Sequence, residues 1–333
     1  MREKVFGIVG AGVVGTLMAV CLERSGLFRC VGIHTRSRAS FERFRKFVSC
    51  EHCSLAELAQ RCSVIFVTTP DDVIAQVARV LHDVADAGAV SGERMLIHCS
   101  GALPWRVLAP EKIMAPEKVL APEKVMAPEK PMASEKVLAS EKPMASGALG
   151  GAGWRYAGVH PYRAFASIVD GIDSMEGTHF GIDGSDEQAV FCGEEIVRVL
   201  GGVAYRVPEG GKTLYHGAAV IASNYLVTLA SIGVELLERI SLTPGESLEL
   251  LLPLMQGTLD NLRTGGLDVL TGPVARGDTE VVGRHLRELP DDVRDVYCAL
   301  GRWTLKLGRR QRERAGKAYA PEVEQELNRL FGQ

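Results

Sequence analysis

The residues with the clearest chemical meaning stand near the start of the chain, in Gly10-Ala11-Gly12-Val13-Val14-Gly15. They follow an apolar run with strand character and open a segment with helical spacing, the context in which such glycines bind a dinucleotide. Gly10 permits the tight turn, Gly12 lets a pyrophosphate approach the backbone, and Gly15 lets the helix pack close to the sheet. Val13 and Val14 belong to the first helical turn, whose amides and positive dipole attract the anion.

The end of the next strand selects between NAD and NADP. An Asp or Glu there bonds the ribose hydroxyls of NAD and repels a 2′-phosphate. Here the chain reads His34-Thr35-Arg36-Ser37-Arg38, without an acid. Arg36 can clamp a phosphate with charged hydrogen bonds, flanked by Thr35 and Ser37, so NADP is preferred over NAD. The competing view is that these arginines only solvate a surface loop. Thr68-Thr69-Pro70-Asp71-Asp72 and His98-Cys99-Ser100-Gly101 close two further strands. Ligands of doubly wound sheets lie outside the carboxyl ends of the strands, which turns Thr69, Pro70 and Ser100 toward the cofactor. Ser100 is equally well explained as turn chemistry.

A hydride acceptor also needs a proton. His160 ends Gly158-Val159-His160-Pro161 and is one candidate donor, or else a satisfied structural histidine. Lys212, His216 and Ser223 fall within about 40° of one another on a helix of 3.6 residues per turn, with Asn224 on the flank. Polar groups on an otherwise apolar helix are costly unless hydrogen-bonded or facing a cleft. Lys212 or His216 can therefore supply a proton, and Asn224 can touch a substrate. Against this stand solvation of the helix start by Lys212 and a buried amide network around Asn224.

The elements that must hold these residues are legible from periodicity. Strands are expected at Val5–Gly10, Arg29–His34, Val64–Thr68, Met95–His98, Ala157–His160, His179–Asp183 and Val203–Arg206. Helices are expected at Val14–Arg24, Ala39–Phe47, Leu55–Arg61, Asp72–His82 and Asp186–Leu200. Such alternation predicts an α/β domain with a doubly wound, mostly parallel sheet over residues 1–207. Beyond 208 the strand signals stop, so residues 208–333 form an all-helical substrate and dimerisation domain. A long apolar helix runs from near Lys212 to Arg239. A second starts at Thr243-Pro-Gly-Glu246, which has the form of a capping box. Later helices are expected at Asp278–Leu289, Asp292–Arg310 and Pro321–Leu330.

One segment breaks the pattern. Ala109 to Met144 is six copies of a hexapeptide of the form APEKVM or ASEKPM. A period of six matches neither helix nor strand, and Pro110, Pro116, Pro122 and Pro128 interrupt a continuous helix. Residues 109–146 read as a low-complexity insertion, extended or transiently helical.

Composition removes several classes. In 333 residues, 46% are hydrophobic and 24% charged, ordinary for a globular protein. Lys and Arg number 38 against 41 Asp and Glu, a net −3, which leaves no basic field for nucleic acid. The eight cysteines are spread thinly, and Cys50-Glu-His-Cys53 has no second pair at zinc spacing, so no metal site is expected. The apolar start carries four glycines and meets Glu23 and Arg24, unlike a secretory leader. Ala218 to Leu237 is interrupted by Ser223, Asn224, Ser231 and Glu235, unlike a membrane span. A cytoplasmic protein with reduced thiols is expected.

Taken together, GIVGAGVVG, VTTPDDVI, HCSGAL, GVHPYRAF, KTLYHGAAVIASNYLV and LTGPVARGD resemble a family of oxidoreductases. Its members have an N-terminal Rossmann-like NADP-binding domain and a C-terminal helical domain of unknown function. It is similar more distantly to pyrroline-5-carboxylate reductase, the 6-phosphogluconate dehydrogenase superfamily and deazaflavin-dependent NADP reductases. The resemblance covers nearly the whole chain except Ala109–Met144, whose removal would join Leu108 to Ala145. It implies a 6-phosphogluconate-dehydrogenase-like helical domain that builds a homodimer, and an active site in the cleft between the halves. It also puts Lys212 near a lysine of the hydroxyacid dehydrogenase relatives. Those place Asn four residues later, where this chain has His216, which tells against a hydroxyacid dehydrogenase mechanism. Arg276, in Thr271-Gly-Pro-Val-Ala-Arg276-Gly-Asp278, can hold a substrate carboxylate, unless this stretch is simply a helix start capped by Asp278.

The expected activity is NADP-dependent hydride transfer to or from a small C=O or C=N substrate, with the proton from His160, Lys212 or His216. One rival is a non-catalytic NADP-binding sensor or scaffold whose repeat segment contacts a partner. Another is a reductase of free flavin or deazaflavin.

Overall fold

The computed structural model describes residues 4–85, 93–110 and 153–332; the hexapeptide array beyond Pro110 lies outside the described residues. The chain forms two compact units, Met1–Ile221 and Ala222–Gln333.

The first unit alternates β1 (Lys4–Val9), α1 (Val13–Arg24), β2 (Phe28–His34), α2 (Arg38–Phe44), β3 (Glu51–His52), α3 (Leu55–Arg61), β4 (Val64–Val67), α4 (Asp71–Val84) and β5 (Arg94–His98). After a 3-10 turn at Trp105–Leu108 come β6 (Trp154–Pro161), α5 (Ile168–Asp173), β7 (His179–Gly184), α6 (Glu187–Val199), β8 (Val203–Arg206) and α7 (Lys212–Ala219). All eight strands join one sheet in the order β3-β2-β1-β4-β5-β6-β7-β8. Every neighbouring pair is parallel except β6 and β7, which run antiparallel.

Both faces of the sheet are covered, which is why its central strands are continuously apolar. Phe6 and Ile8 of β1 and Val64 and Phe66 of β4 face one core layer with Leu17, Met18 and Val197. Val9, Ile65 and Val67 face the other with Leu58, Ile74 and Leu81. The period-two alternation of the strand backbone distributes these neighbours to opposite layers. Side-chain caps set several helix starts. Ser54 and Glu57 make a reciprocal capping box on α3, and Asp186 accepts from Ala189 N at the start of α6. The chain winds outward from β1 to β3 and then crosses back to β4. The strand order therefore reverses between β1 and β4, where such sheets open a crevice at their carboxyl ends.

The second unit is helical: α8 (Tyr225–Glu238), α9 (Pro244–Gly265), α10 (Pro273–Arg276), α11 (Thr279–Glu288), α12 (Asp291–Arg314) and α13 (Pro321–Leu330). Thr243 and Glu246 make the expected capping box on α9. Val274, Val282, Leu305, Tyr319, Leu327 and Phe331 form its small core.

Two elements differ from the sequence reading. The helix expected from Lys212 to Arg239 contains a π turn at Val220–Asn224, and the division between the units falls inside it. The expected boundary near 208 thus lies earlier than the division at Ile221/Ala222, because α7 is bonded to β6 and β7 of the first unit. The π turn rotates less per residue than an α-helix, so an ideal helical wheel does not apply across Val220–Asn224. Ser223 and Asn224 lie within that turn, and both are exposed.

Candidate active site

At the β1–β4 reversal, the glycine turn packs against the end of β4. Gly10 has φ +106°, a conformation that favours glycine, and a Cβ there would meet the Thr68 carbonyl oxygen at 2.8 Å. Thr68 Oγ1 donates to Gly10 O at 2.8 Å, and a Cβ on Gly15 would run into that hydroxyl. These two glycines are required by packing. Gly12 is different: a Cβ there meets nothing within 4 Å. Its bare backbone faces a cleft of about 770 Å³ that Thr35, Arg36, Ser37, Thr69 and Pro70 also line. Val13 and Val14 open α1 and turn into the core beside it.

The cleft fits a dinucleotide on two counts. Gly12 leaves room at a helix N-terminus that no protein atom requires, and Thr69 Oγ1 is a buried hydroxyl with no hydrogen-bond partner among the described residues. Ser100, by contrast, is engaged. Its hydroxyl donates to Asp71 Oδ2 at 2.9 Å and accepts from the backbone N–H of Ala102 and Leu103, so it fastens the turn after β5.

A second cluster stands at the carboxyl ends of β5 and β6. The antiparallel register pairs Gly158 with Asp183 and His160 with Gly181. Side chains from α7 lie over the two glycines. Lys212 Nζ donates to Asp183 Oδ1 at 2.7 Å, and a Cβ on Gly158 would sit 2.3 Å from that oxygen and 3.0 Å from Nζ. Asp183 Oδ2 accepts the Trp105 backbone N–H at 2.7 Å. Tyr215 lies over Gly181 and shares a hydrogen bond of 3.1 Å with His160 Nδ1. Gly101 is wedged against two imidazoles, since a Cβ there would be 2.7 Å from both His160 Nε2 and His216 Nδ1. His216 Nδ1 is buried without a partner among the described residues.

Thus His160, Lys212 and His216 are brought together, in different states. Lys212 is 4% exposed and ion-paired, whereas the buried Nδ1 of His216 has no hydrogen-bond partner among the described residues. Burial, then the Lys212 charge and neighbouring imidazoles, push His160 down to about 4. Burial and Lys212 push the fully buried His98 down to about 3. His98 Nδ1 accepts the Ser100 backbone N–H, which leaves the proton of the neutral ring on Nε2.

These depressed values carry a sign. Unfolded, each imidazole takes a proton near its ordinary value of 6.5; folded, it does so only near 4 or 3. Their contribution to stability is therefore complete above pH 6.5 and is lost progressively as pH falls toward 3. Urea unfolding at pH 7.5, 6 and 5 should give a declining midpoint, with a shallower decline in His160→Gln. An unchanged midpoint over that range would contradict the burial of both rings.

Asn224 and Arg276 belong to the second unit. Arg276 is exposed at the end of α10, and Asp278 Oδ1 accepts Val281 N at 3.1 Å, so that segment is a capped helix start. Sequence reasoning gave no individual role to Asp71, His98, Gly101, Asp183 or Tyr215. A lone carboxylate at the end of an apolar strand was the available signal for Asp183; the rest depend on strand pairing. Among the described residues, no group of three or more His, Cys, Asp or Glu side chains converges to hold a metal ion.

The family matches divide the chain at a different place from the two compact units. Residues 1–115 match a Rossmann-like domain, and residues 178–304 match a domain of unknown function, DUF2520. The chain joins a Rossmann-like domain to a DUF2520 domain. His98 and Gly101 come from the first, Asp183, Lys212, Tyr215 and His216 from the second, and His160 from the stretch between them. No curated protein matches the chain. Among solved structures, a Bacteroides fragilis protein provisionally assigned as an NADP oxidoreductase is similar at TM-score 0.64 and 22% identity, covering 91% of this chain and 98% of that one. A Thermotoga maritima protein follows at 0.60 and 24%, covering 90% and 98%. Plasmodium falciparum pyrroline carboxylate reductase with NADP bound is similar at 0.51 and 11%, covering 100% and 98%. These likenesses establish a shared fold.

Proposed function

We propose that the protein is an NADP-dependent oxidoreductase acting on a small carbonyl or imine substrate. The observation that carries this reading is the cleft at the β1–β4 reversal. The open backbone of Gly12 and the unpartnered Thr69 hydroxyl line it, with Arg36 at the end of β2 where an NAD site would have an acid. The fold shared with an NADP-bound reductase supports it.

When bound, the nicotinamide dinucleotide supplies or accepts the hydride. The chain's own part is binding and proton handling. The first turn of α1 holds the pyrophosphate, and Thr35, Arg36 and Ser37 hold the phosphorylated ribose. A carbonyl or imine that gains hydride also needs a proton on oxygen or nitrogen. His160, kept neutral at physiological pH, serves as a hydrogen-bond donor that polarises this atom. His216, with its free Nδ1, delivers the proton. Lys212 is tied to Asp183 and acts as a positioning residue.

The test is a titration of the purified protein with NADPH and NADH, followed by nicotinamide fluorescence. Wild type should bind NADPH more tightly, and Arg36→Ala should lose about tenfold for NADPH with little change for NADH. Binding of neither nucleotide would overturn the proposal.

We further propose that the protein works as a cytoplasmic homodimer through its helical unit. All eight cysteines are unpaired, as expected in a reducing compartment. The stretch Lys212–Glu238 is long and apolar enough to cross a membrane by length and composition, yet its first turns are bonded to the Rossmann sheet through Lys212 and Tyr215. α8 and α9 expose Val227 at 71% and Leu254 at 68%, beside Tyr225, Leu250 and Leu252. An apolar surface of this kind marks an interface, and a second copy of the same helical pair is its natural cover. Sedimentation equilibrium should give a dimer for wild type and a monomer for Leu254→Glu; a monomeric wild type would sink the idea.

A further inference from the structure

The rim of the dinucleotide cleft holds a second cation that no sequence motif announces. Arg43 of α2 lines the cleft together with Arg36, Ser37 and Ser40. Three of these side chains are linked: Ser37 Oγ donates to Ser40 Oγ at 2.9 Å, and Arg43 Nη2 donates to the same oxygen at 3.1 Å. That hydrogen bond restrains the exposed guanidinium before any ligand arrives, which lowers the ordering cost of binding.

The charges around it are unbalanced. Glu42, the single carboxylate of α2, is engaged by Arg38 and Arg45 at 3.9 Å each. Among the described residues neither Arg36 nor Arg43 has a carboxylate partner. Two uncompensated arginines and two hydroxyls on one rim match a phosphate monoester, which carries about −1.5 to −2 near pH 7 and three acceptor oxygens. A ribose diol would need an acceptor with negative charge, and the rim offers none from α2.

We propose that Arg43, held by Ser40, is a specificity-determining residue: the second cation for a phosphate on the adenosine ribose. This rests on the NADP reading above. The neutral pair of Ser37 and Ser40 then serves as the scaffold that aims Arg43 as well as a source of hydrogen bonds.

The experiment is isothermal titration of the full chain with 2′,5′-ADP and with 5′-AMP. Wild type should prefer 2′,5′-ADP. Arg43→Ala should weaken 2′,5′-ADP at least tenfold and leave 5′-AMP within twofold, and Ser40→Ala should weaken 2′,5′-ADP about threefold. If Arg43→Ala binds 2′,5′-ADP like wild type while Arg36→Ala does not, one arginine suffices. The Arg43 proposal is then overturned and the NADP reading stands. Equal weakening of both ligands in Arg43→Ala would also overturn it, since the residue would then support the cleft rather than read the phosphate. A wild type that binds 5′-AMP as tightly as 2′,5′-ADP, or binds neither, would overturn the NADP reading itself.

Discussion

Gly12→Asp is expected to weaken NADPH binding at least about 100-fold while leaving the melting temperature within about 2 °C of wild type. The two halves of this prediction have separate causes. Gly12 is the N-cap of α1 with φ −76° and ψ −177°, extended backbone that any residue adopts. A Cβ there has nothing within 4 Å to strike. Asp is moreover among the best N-capping residues, so the helix gains an acceptor for its free amides. That same carboxylate occupies the place the pyrophosphate needs and repels it. Gly15→Ala should show the opposite behaviour. Its Cβ would collide with Thr68 Oγ1 and lie 2.5 Å from Gly10 O, so the fold should lose about 1–3 kcal/mol. Fluorescence titration and thermal unfolding of both variants distinguish a glycine kept for a ligand from one kept for packing. Retained NADPH binding by a folded Gly12→Asp protein would remove the case for a dinucleotide site.

The contrast between these glycines also marks what the sequence can disclose. The strand, glycine turn and helix of residues 4–24 are local, as are the capping box of Thr243 and Glu246 and the helix that starts at Asp186, and all were legible from spacing. β3 was missed because two exposed residues, Glu51 and His52, carry no alternation, and their pairing with Gly32 and Ile33 is set by the sheet. The cleft residues at the end of β2 were partly legible: Arg36 adjoins the strand, whereas Arg43 reaches the rim from the far end of α2. The proton-handling cluster was the least legible. Lys212 and His216 stood out on an apolar helix, but Asp183 lies 29 residues from Lys212. Only the antiparallel β6–β7 register brings that carboxylate opposite Gly158. A helical wheel cannot foresee the π turn at Val220–Asn224, so the 40° grouping of Ser223 with Lys212 and His216 does not carry across it.

The Lys212–Asp183 pair yields the largest expected loss of stability from a single polar substitution. The side chains are 6% and 10% exposed, and Asp183 also holds the Trp105 amide. Removing Lys212 alone leaves a largely buried carboxylate without its cation, and removing a buried partner in this way costs about 3–5 kcal/mol. For a unit of this size that corresponds to a fall of roughly 10 °C in melting temperature. Lys212→Met should therefore be strongly destabilised and Asp183→Asn nearly as much. The double variant Lys212→Met/Asp183→Leu should recover most of the loss, because two apolar groups leave no stranded charge. The electrostatic role separates from the structural one by histidine NMR. With Lys212 gone, His160 and His98 lose a nearby positive charge and should titrate closer to 6.5 than the values of about 4 and about 3 set with it present. If His160 instead titrates unchanged in a folded Lys212→Met protein, burial alone keeps it neutral. Lys212 would then hold α7 against the sheet without influencing the proton at its ring.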